Sequence, residues 1–189
     1  MNHRYLQKFQ IKDVVFLATM SAVALATCAV MPLVISLQPL IFGISQLVTA
    51  LQIGVFFAIG LYKVRKPGSL LIMALMMGLI QLMMSPPMFL SSVLNGVLIE
   101  LIVLLLFRGY EKDAAVFVAA MLHTPLSLPF NYLYNRLVKG TDSPLAAVAD
   151  RAPLAAVGMT LAVVAVSALG ALIGIKIARE LKKSGVLKK

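Results

Sequence analysis

Glu100 is the one acidic or basic side chain lying well inside an apolar run of this sequence, and a charged group at the centre of a membrane span costs about 2.5–3.5 kcal/mol on insertion scales. Such a residue either faces a cavity, partner or ligand, or is a protonated carboxyl hydrogen-bonded to a neighbouring helix. Around it the chain offers groups for recognition: amides at Gln46, Gln81, Asn95, Asn131 and Asn135, a phenol at Tyr132, a stacking ring at Phe89 and an imidazole at His123. Amides supply directional hydrogen bonds and aromatic rings supply flat surfaces. No Asp, Glu or His set at ligand spacing accompanies His123, so we expect no metal. An intramembrane enzyme needs at least two convergent catalytic groups, and no second acid or His-x-x-x-His pair supports Glu100 and His123. The reading is of no catalytic residue and no cofactor.

The elements that must position these side chains follow from composition. Of 189 residues, 61% are hydrophobic and only 13% charged, against roughly 45–50% apolar in a soluble domain, and the mean hydropathy is +0.97. We therefore expect an all-α polytopic membrane protein. Apolar blocks and their punctuation predict six transmembrane helices at about 13–35, 40–62, 69–84, 88–107, 114–138 and 153–181, within one integral-membrane domain over 1–189. Cys28 is the single cysteine, which excludes an intrachain disulfide.

The net charge of +10 would point to nucleic acid if it formed a patch on a soluble fold. Here the bases sit between runs. Arg4, Lys8 and Lys12 precede the first; Lys63, Arg65 and Lys66 separate the second from the third; Arg108 and Lys112 separate the fourth from the fifth; Lys176, Arg179, Lys182, Lys183, Lys188 and Lys189 close the chain. The alternate loops hold only Arg136, Lys139 and Arg151. By the positive-inside rule both termini are cytoplasmic, the bilayer is the surrounding partner, and no nucleic acid is expected.

That orientation puts Gln46 in the outer third of the second span, Gln52 near its middle, Gln81 at the outer end of the third, Asn95 at shallow depth and Glu100 near mid-depth. The fifth span runs outward through His123, Pro125, Pro129, Asn131, Tyr132 and Asn135, its prolines freeing backbone carbonyls that need other partners. The polar groups thus describe a cup open outward and shut inward. Ala18, Ala22 and Ala26 recur every four residues along the first span, a stripe that permits close helix contact, whether within the bundle or with a partner.

Six spans, both ends inside, an outward cup and this Ala-xxx-Ala-xxx-Ala stripe resemble the substrate-binding S component of an energy-coupling factor (ECF) vitamin transporter over nearly the whole chain. Arg65-Lys66-Pro67-Gly68 resembles a basic turn of the thiamine- and hydroxymethylpyrimidine-type members, and Glu100 in Asn95-Gly96-Val97-Leu98-Ile99-Glu100 resembles a fourth-span glutamate that contacts ligand. The resemblance implies capture of a vitamin or vitamin precursor from outside a prokaryotic plasma membrane. It further implies delivery by toppling on a transmembrane coupling protein driven by two cytosolic ATPase subunits, with Ala18, Ala22 and Ala26 as the docking face. The substrate-binding residues would be Glu100, Asn95, Gln46, Gln81, Phe89, His123, Asn131, Tyr132 and Asn135. The chain departs from thiamine-binding relatives in lacking tryptophan; Tyr132, Tyr134 or Phe89 would take its place. The alternative is a small proton-coupled secondary transporter with Glu100 as proton carrier, a class that often shows internal repeats; none is evident here.

Overall fold

The computed structural model describes residues 8–28, 34, 36–37, 40–140 and 143–187, and within them the chain is all helical, with no strand. Helix α1 covers Ile11–Thr27, α2 Ile44–Val64, α3 Ser69–Leu82, α4 Pro86–Phe107, α5 Asp113–Leu137, α6 Pro144–Arg151 and α7 Pro153–Lys183. The expected end of the first span at Ile35, Gln38 and Pro39 of the link after it, and the bases Arg4, Lys188 and Lys189 lie outside the described residues.

Local chemistry sets where these helices begin and end. Pro86, Pro144 and Pro153 open α4, α6 and α7, in the first turn where a missing N–H costs no helical bond. At the start of α1 the Gln10 amide donates to Asp13 Oδ2 at 3.1 Å, half of a capping box. Between α2 and α3, Arg65 and Gly68 both adopt positive φ, 47° and 90°, which turns the chain sharply across Pro67. Helices α2, α4, α5 and α7 are long and apolar enough to cross a membrane. Helix α3, with 14 residues, rises only about 21 Å.

The helices form a bundle in which α2 is central, packing against α1, α5 and most extensively α7, while α3 and α4 pair on the other side. The α2–α7 crossing is made backbone to backbone. A Cβ on Gly170 would come within 2.5 Å of the Leu51 carbonyl oxygen, and one on Gly174 within 2.4 Å of that of Val55; small residues one turn apart are what allow such approach. Ser21 Oγ ties α1 to α3 by donating to the Met73 carbonyl at 3.1 Å. The core holds Leu17, Phe57, Leu61, Met73, Ile99 and Val116. The exterior is apolar as well, with Leu105 82% and Leu161 65% exposed, the surface of a bundle that meets lipid.

Successive helices reverse direction, so their ends gather at two levels. One, the basic end, carries the start of α1, the 63–68 and 108–112 turns, and the end of α7. The other, the far end, carries α6 and the starts of α2, α4 and α7.

Candidate functional site

At the far end a cleft of about 500 Å³ opens between the start of α2, the last turns of α5, α6 and the start of α7. Phe42, Leu128 and Pro129 form its floor and walls, and Tyr132, Asp150 and Thr160 supply its polar edge. The rim is stitched together. Tyr132 donates to Asp150 Oδ1 at 2.7 Å, Arg136 pairs with Asp150 Oδ2 at 2.5 Å, and Ser143 Oγ donates to Asn135 Oδ1 at 2.9 Å. These bonds hold the short helix α6 against α5. Asn135 also donates to the Asn131 carbonyl at 2.8 Å, so both asparagines brace the rim.

Beneath the floor lies a layer of a different kind. Of the buried side-chain polar atoms without a hydrogen bond among the described residues, all but Ser69 Oγ belong to Gln52, Asn95, His123 and Thr124. Counting from the basic end, Gln52 stands twelve residues from the end of α2, Asn95 twelve from the end of α4, and His123 ten from the start of α5. At 1.5 Å per residue all three lie roughly 15–18 Å up the bundle, within about one helical turn of each other. Thr124 is one turn below Leu128. Asn95 and His123 are 1% and 4% exposed, and the His123 ring packs on Phe57 with centroids 4.5 Å apart. Most buried polar groups find a partner; this layer is where such atoms concentrate.

Pro125 explains part of the local geometry. Lacking an N–H, it cannot bond the Met121 carbonyl four residues back, and Ser167 Oγ of α7 donates to that carbonyl instead, at 2.7 Å. The carbonyl that Pro125 leaves free thereby ties α5 to α7.

Glu100 does not join this group. Its Oε1 accepts from the Gly68 amide at 2.6 Å and its Oε2 from the Tyr110 hydroxyl at 2.9 Å, with the Leu70 and Leu71 amides also turned towards it. The carboxyl thus caps the N-terminus of α3, where free amides and the helix dipole favour negative charge. Helix α4 runs from Pro86 to Phe107, so Glu100 lies seven residues, about 10 Å, from its basic end, on the basic side of the helix midpoint and turned to the α2–α3 turn rather than to the cleft. Burial, and then the Glu100 carboxylate, push the Tyr110 phenol well above its ordinary pKa.

The neighbouring acids do similar work. Asp113 pairs with Arg65 and, at 2.6 Å, with Arg179; Asp13 pairs with Lys66 at 2.6 Å. The turn after α2 is therefore held at Arg65, Lys66 and Gly68 by acids from three helices. The bases between the apolar runs thus also tie this end of the bundle together.

Of the candidates named from sequence, Tyr132 lines the cleft and Asn131 and Asn135 support its rim. Asn95 and His123 join the buried layer. Gln46 sits at the start of α2, its side-chain oxygen accepting from Ser45 at 2.8 Å. Gln81 and Phe89 lie on the α3–α4 pair, where Phe89 packs over Gly78, and neither borders the cleft. Sequence reasoning passed over Phe42, Thr124, Asp150 and Thr160. Asp150 had a legible signal, an acid set opposite Arg136 and beside Arg151. On α1 the buried face is Leu17, Ser21 and Ala24, whereas Ala22 and Ala26 are exposed and Ala18 half-buried. Among the described residues no group of three or more His, Cys, Asp or Glu is placed to hold a metal.

A family model described as "Hypothetical bacterial integral membrane protein (Trep_Strep)" matches residues 11–183. The fold is similar to a solved structure titled "Crystal structure of an S-component of ECF transporter", with a TM-score of 0.64 and 21% identity, covering 95% of this chain and 89% of that one. No curated protein matches.

Proposed function

This chain belongs to the Trep_Strep family of bacterial integral membrane proteins, and we propose that it is the substrate-binding S component of an ECF-type importer. The observation that carries the proposal is the layer of Gln52, Asn95, His123 and Thr124, polar atoms without hydrogen-bond partners among the described residues, inside a bundle with a cleft at its far end whose Leu128 stands one turn above Thr124. The likeness in fold to an S component supports it. On this reading the bundle crosses the membrane six times, the basic end and both termini face the cytoplasm, and the cleft faces outward. The chain works without catalytic groups of its own.

The ligand is a vitamin or vitamin precursor, a nitrogen heterocycle such as a thiamine-related pyrimidine. With Glu100 occupied at α3, recognition falls to amide, imidazole and hydroxyl groups, which suit a neutral ring edge carrying both donors and acceptors. Tyr132 supplies a flat surface above it. The exposed Ala22 and Ala26, with Ala18, form the face for a transmembrane coupling protein, and two cytosolic ATPases drive the toppling that delivers the ligand. The alternative of proton-coupled transport through Glu100 is disfavoured, because the carboxyl is already engaged by Gly68 and Tyr110.

Native mass spectrometry of mildly extracted protein tests the reading. A heterocyclic small molecule retained by the wild type and lost in Thr124→Val and Gln52→Leu is the expected result. Only lipid in every sample removes the proposed ligand. In cells, Ala22→Leu should abolish uptake while the solubilised variant still binds; loss of binding would return the stripe to internal packing.

A further inference from the structure

A second cavity, about 640 Å³, lies at the basic end in a groove between α5 and α7. Its chemistry changes along its length. Phe117, Leu172 and Ile175 line the part nearer mid-bundle, and Lys176, Arg179 and Lys183 line the part nearer the end. Leu172, Lys176, Arg179 and Lys183 are spaced by four, three and four residues, one stripe of α7, so the apolar-to-basic gradient runs over about 16 Å.

The charges in the groove do not cancel. Asp113 is shared by Arg65 and Arg179, and Glu180 is taken by Lys183 at 2.8 Å. Lys176 makes no ion pair among the described residues. Three cations, Lys176, Arg179 and Lys183, against two acids, Asp113 and Glu180, leave a surplus positive charge where the apolar wall meets the end of the bundle, and Arg65 draws on Asp113 from outside the groove. The wall itself is open on the outside of the bundle, with Leu172 55% exposed.

We propose that this groove binds an anionic phospholipid, its acyl chain on Phe117 and Leu172 and its headgroup phosphate on Lys176 and Lys183. A free inorganic anion would gain nothing from the apolar half, and a zwitterionic lipid would leave the surplus charge unmatched. Basic pockets between membrane helices at the cytoplasmic side are suited to acidic headgroups. The occupant would bridge α5 and α7 beside the Arg65–Asp113–Arg179 cluster, reinforcing the closed end. The proposal needs only that the chain sits in a bilayer, and stands whether or not the cleft takes a vitamin.

The test is a titration of delipidated full-length protein with phosphatidylglycerol or phosphatidylcholine, read by native mass spectrometry. The wild type should retain phosphatidylglycerol preferentially. Each lysine near an acidic headgroup contributes about fivefold to that preference, so Lys176→Gln with Lys183→Gln should lower it roughly 30-fold, and Lys176→Gln alone by about fivefold should the double variant fail to fold. Lys139→Gln, which removes a positive charge at the far end, should leave it unchanged. No preference in the wild type, or an unaltered preference in folded groove variants, overturns the site. Inorganic phosphate displacing phosphatidylglycerol as well as the lipid displaces itself would overturn the lipid assignment.

Discussion

At the basic end Asp13, Glu100 and Asp113 each hold a cation or a helix terminus, and together they fasten the turn between α2 and α3. Beneath the far-end cleft, Gln52, Asn95, His123 and Thr124 are packed into the bundle with polar atoms that no described residue engages. The two regions use similar raw material, polar side chains inside an apolar bundle, to opposite ends. Where bonds are completed within the chain they contribute stability; where they are left open the fold carries a cost that a ligand can offset.

The sharpest way to break this contrast is Glu100→Ala. It strands the Gly68 amide and the Tyr110 hydroxyl, and should destabilise the protein by about 2–6 kcal/mol, two buried donors left without an acceptor, seen as a lower thermal midpoint in detergent. An unchanged midpoint with weakened ligand binding would move Glu100 to the other side of the comparison. His123→Leu should do the reverse. It removes unpartnered nitrogens without opening a large hole, so stability should hold while affinity for the ligand falls by about 1–3 kcal/mol; equal loss of stability would make His123 a structural residue.

Ser167→Ala tests the joint between the regions. It leaves the Met121 carbonyl freed by Pro125 unbonded and should cost about 1–2 kcal/mol, with no direct effect on the basic end. The smallest effect is expected of Asp150→Asn. The Arg136–Asp150 pair is exposed, and such pairs contribute about 0–1 kcal/mol, so the thermal midpoint should barely move. If α6 covers the cleft, faster ligand release in stopped-flow measurements is the change to find. An unaltered release rate would reduce the Asp150 contacts to surface decoration.

The candidate site was legible in part, and the pattern of success is physical. Tyr132, Asn131 and Asn135 could be assigned to one end because they follow each other on a single helix. Glu100 could not be placed by counting, since its partners, Gly68 and Tyr110, are 32 and 10 residues away and belong to turns whose shape depends on packing. Nothing in the sequence singles out Thr124, and Gln52 reads only as a mid-span amide; their common level with Asn95 and His123 makes them a layer.

What the sequence determined by itself was the helical, apolar character of the chain, because run length, proline and glycine act locally and each residue contributes without reference to distant ones. It also marked the carbonyl at Met121 as needing a partner, since Pro125 removes a donor wherever the helix lies. Which side chain would meet that carbonyl, which acids would close one end, and which polar atoms would be left open beneath the other were decided by tertiary structure. Those outcomes depend on helix rotation and on the close α2–α7 approach at Gly170 and Gly174, and both are set by how all the helices fill space together.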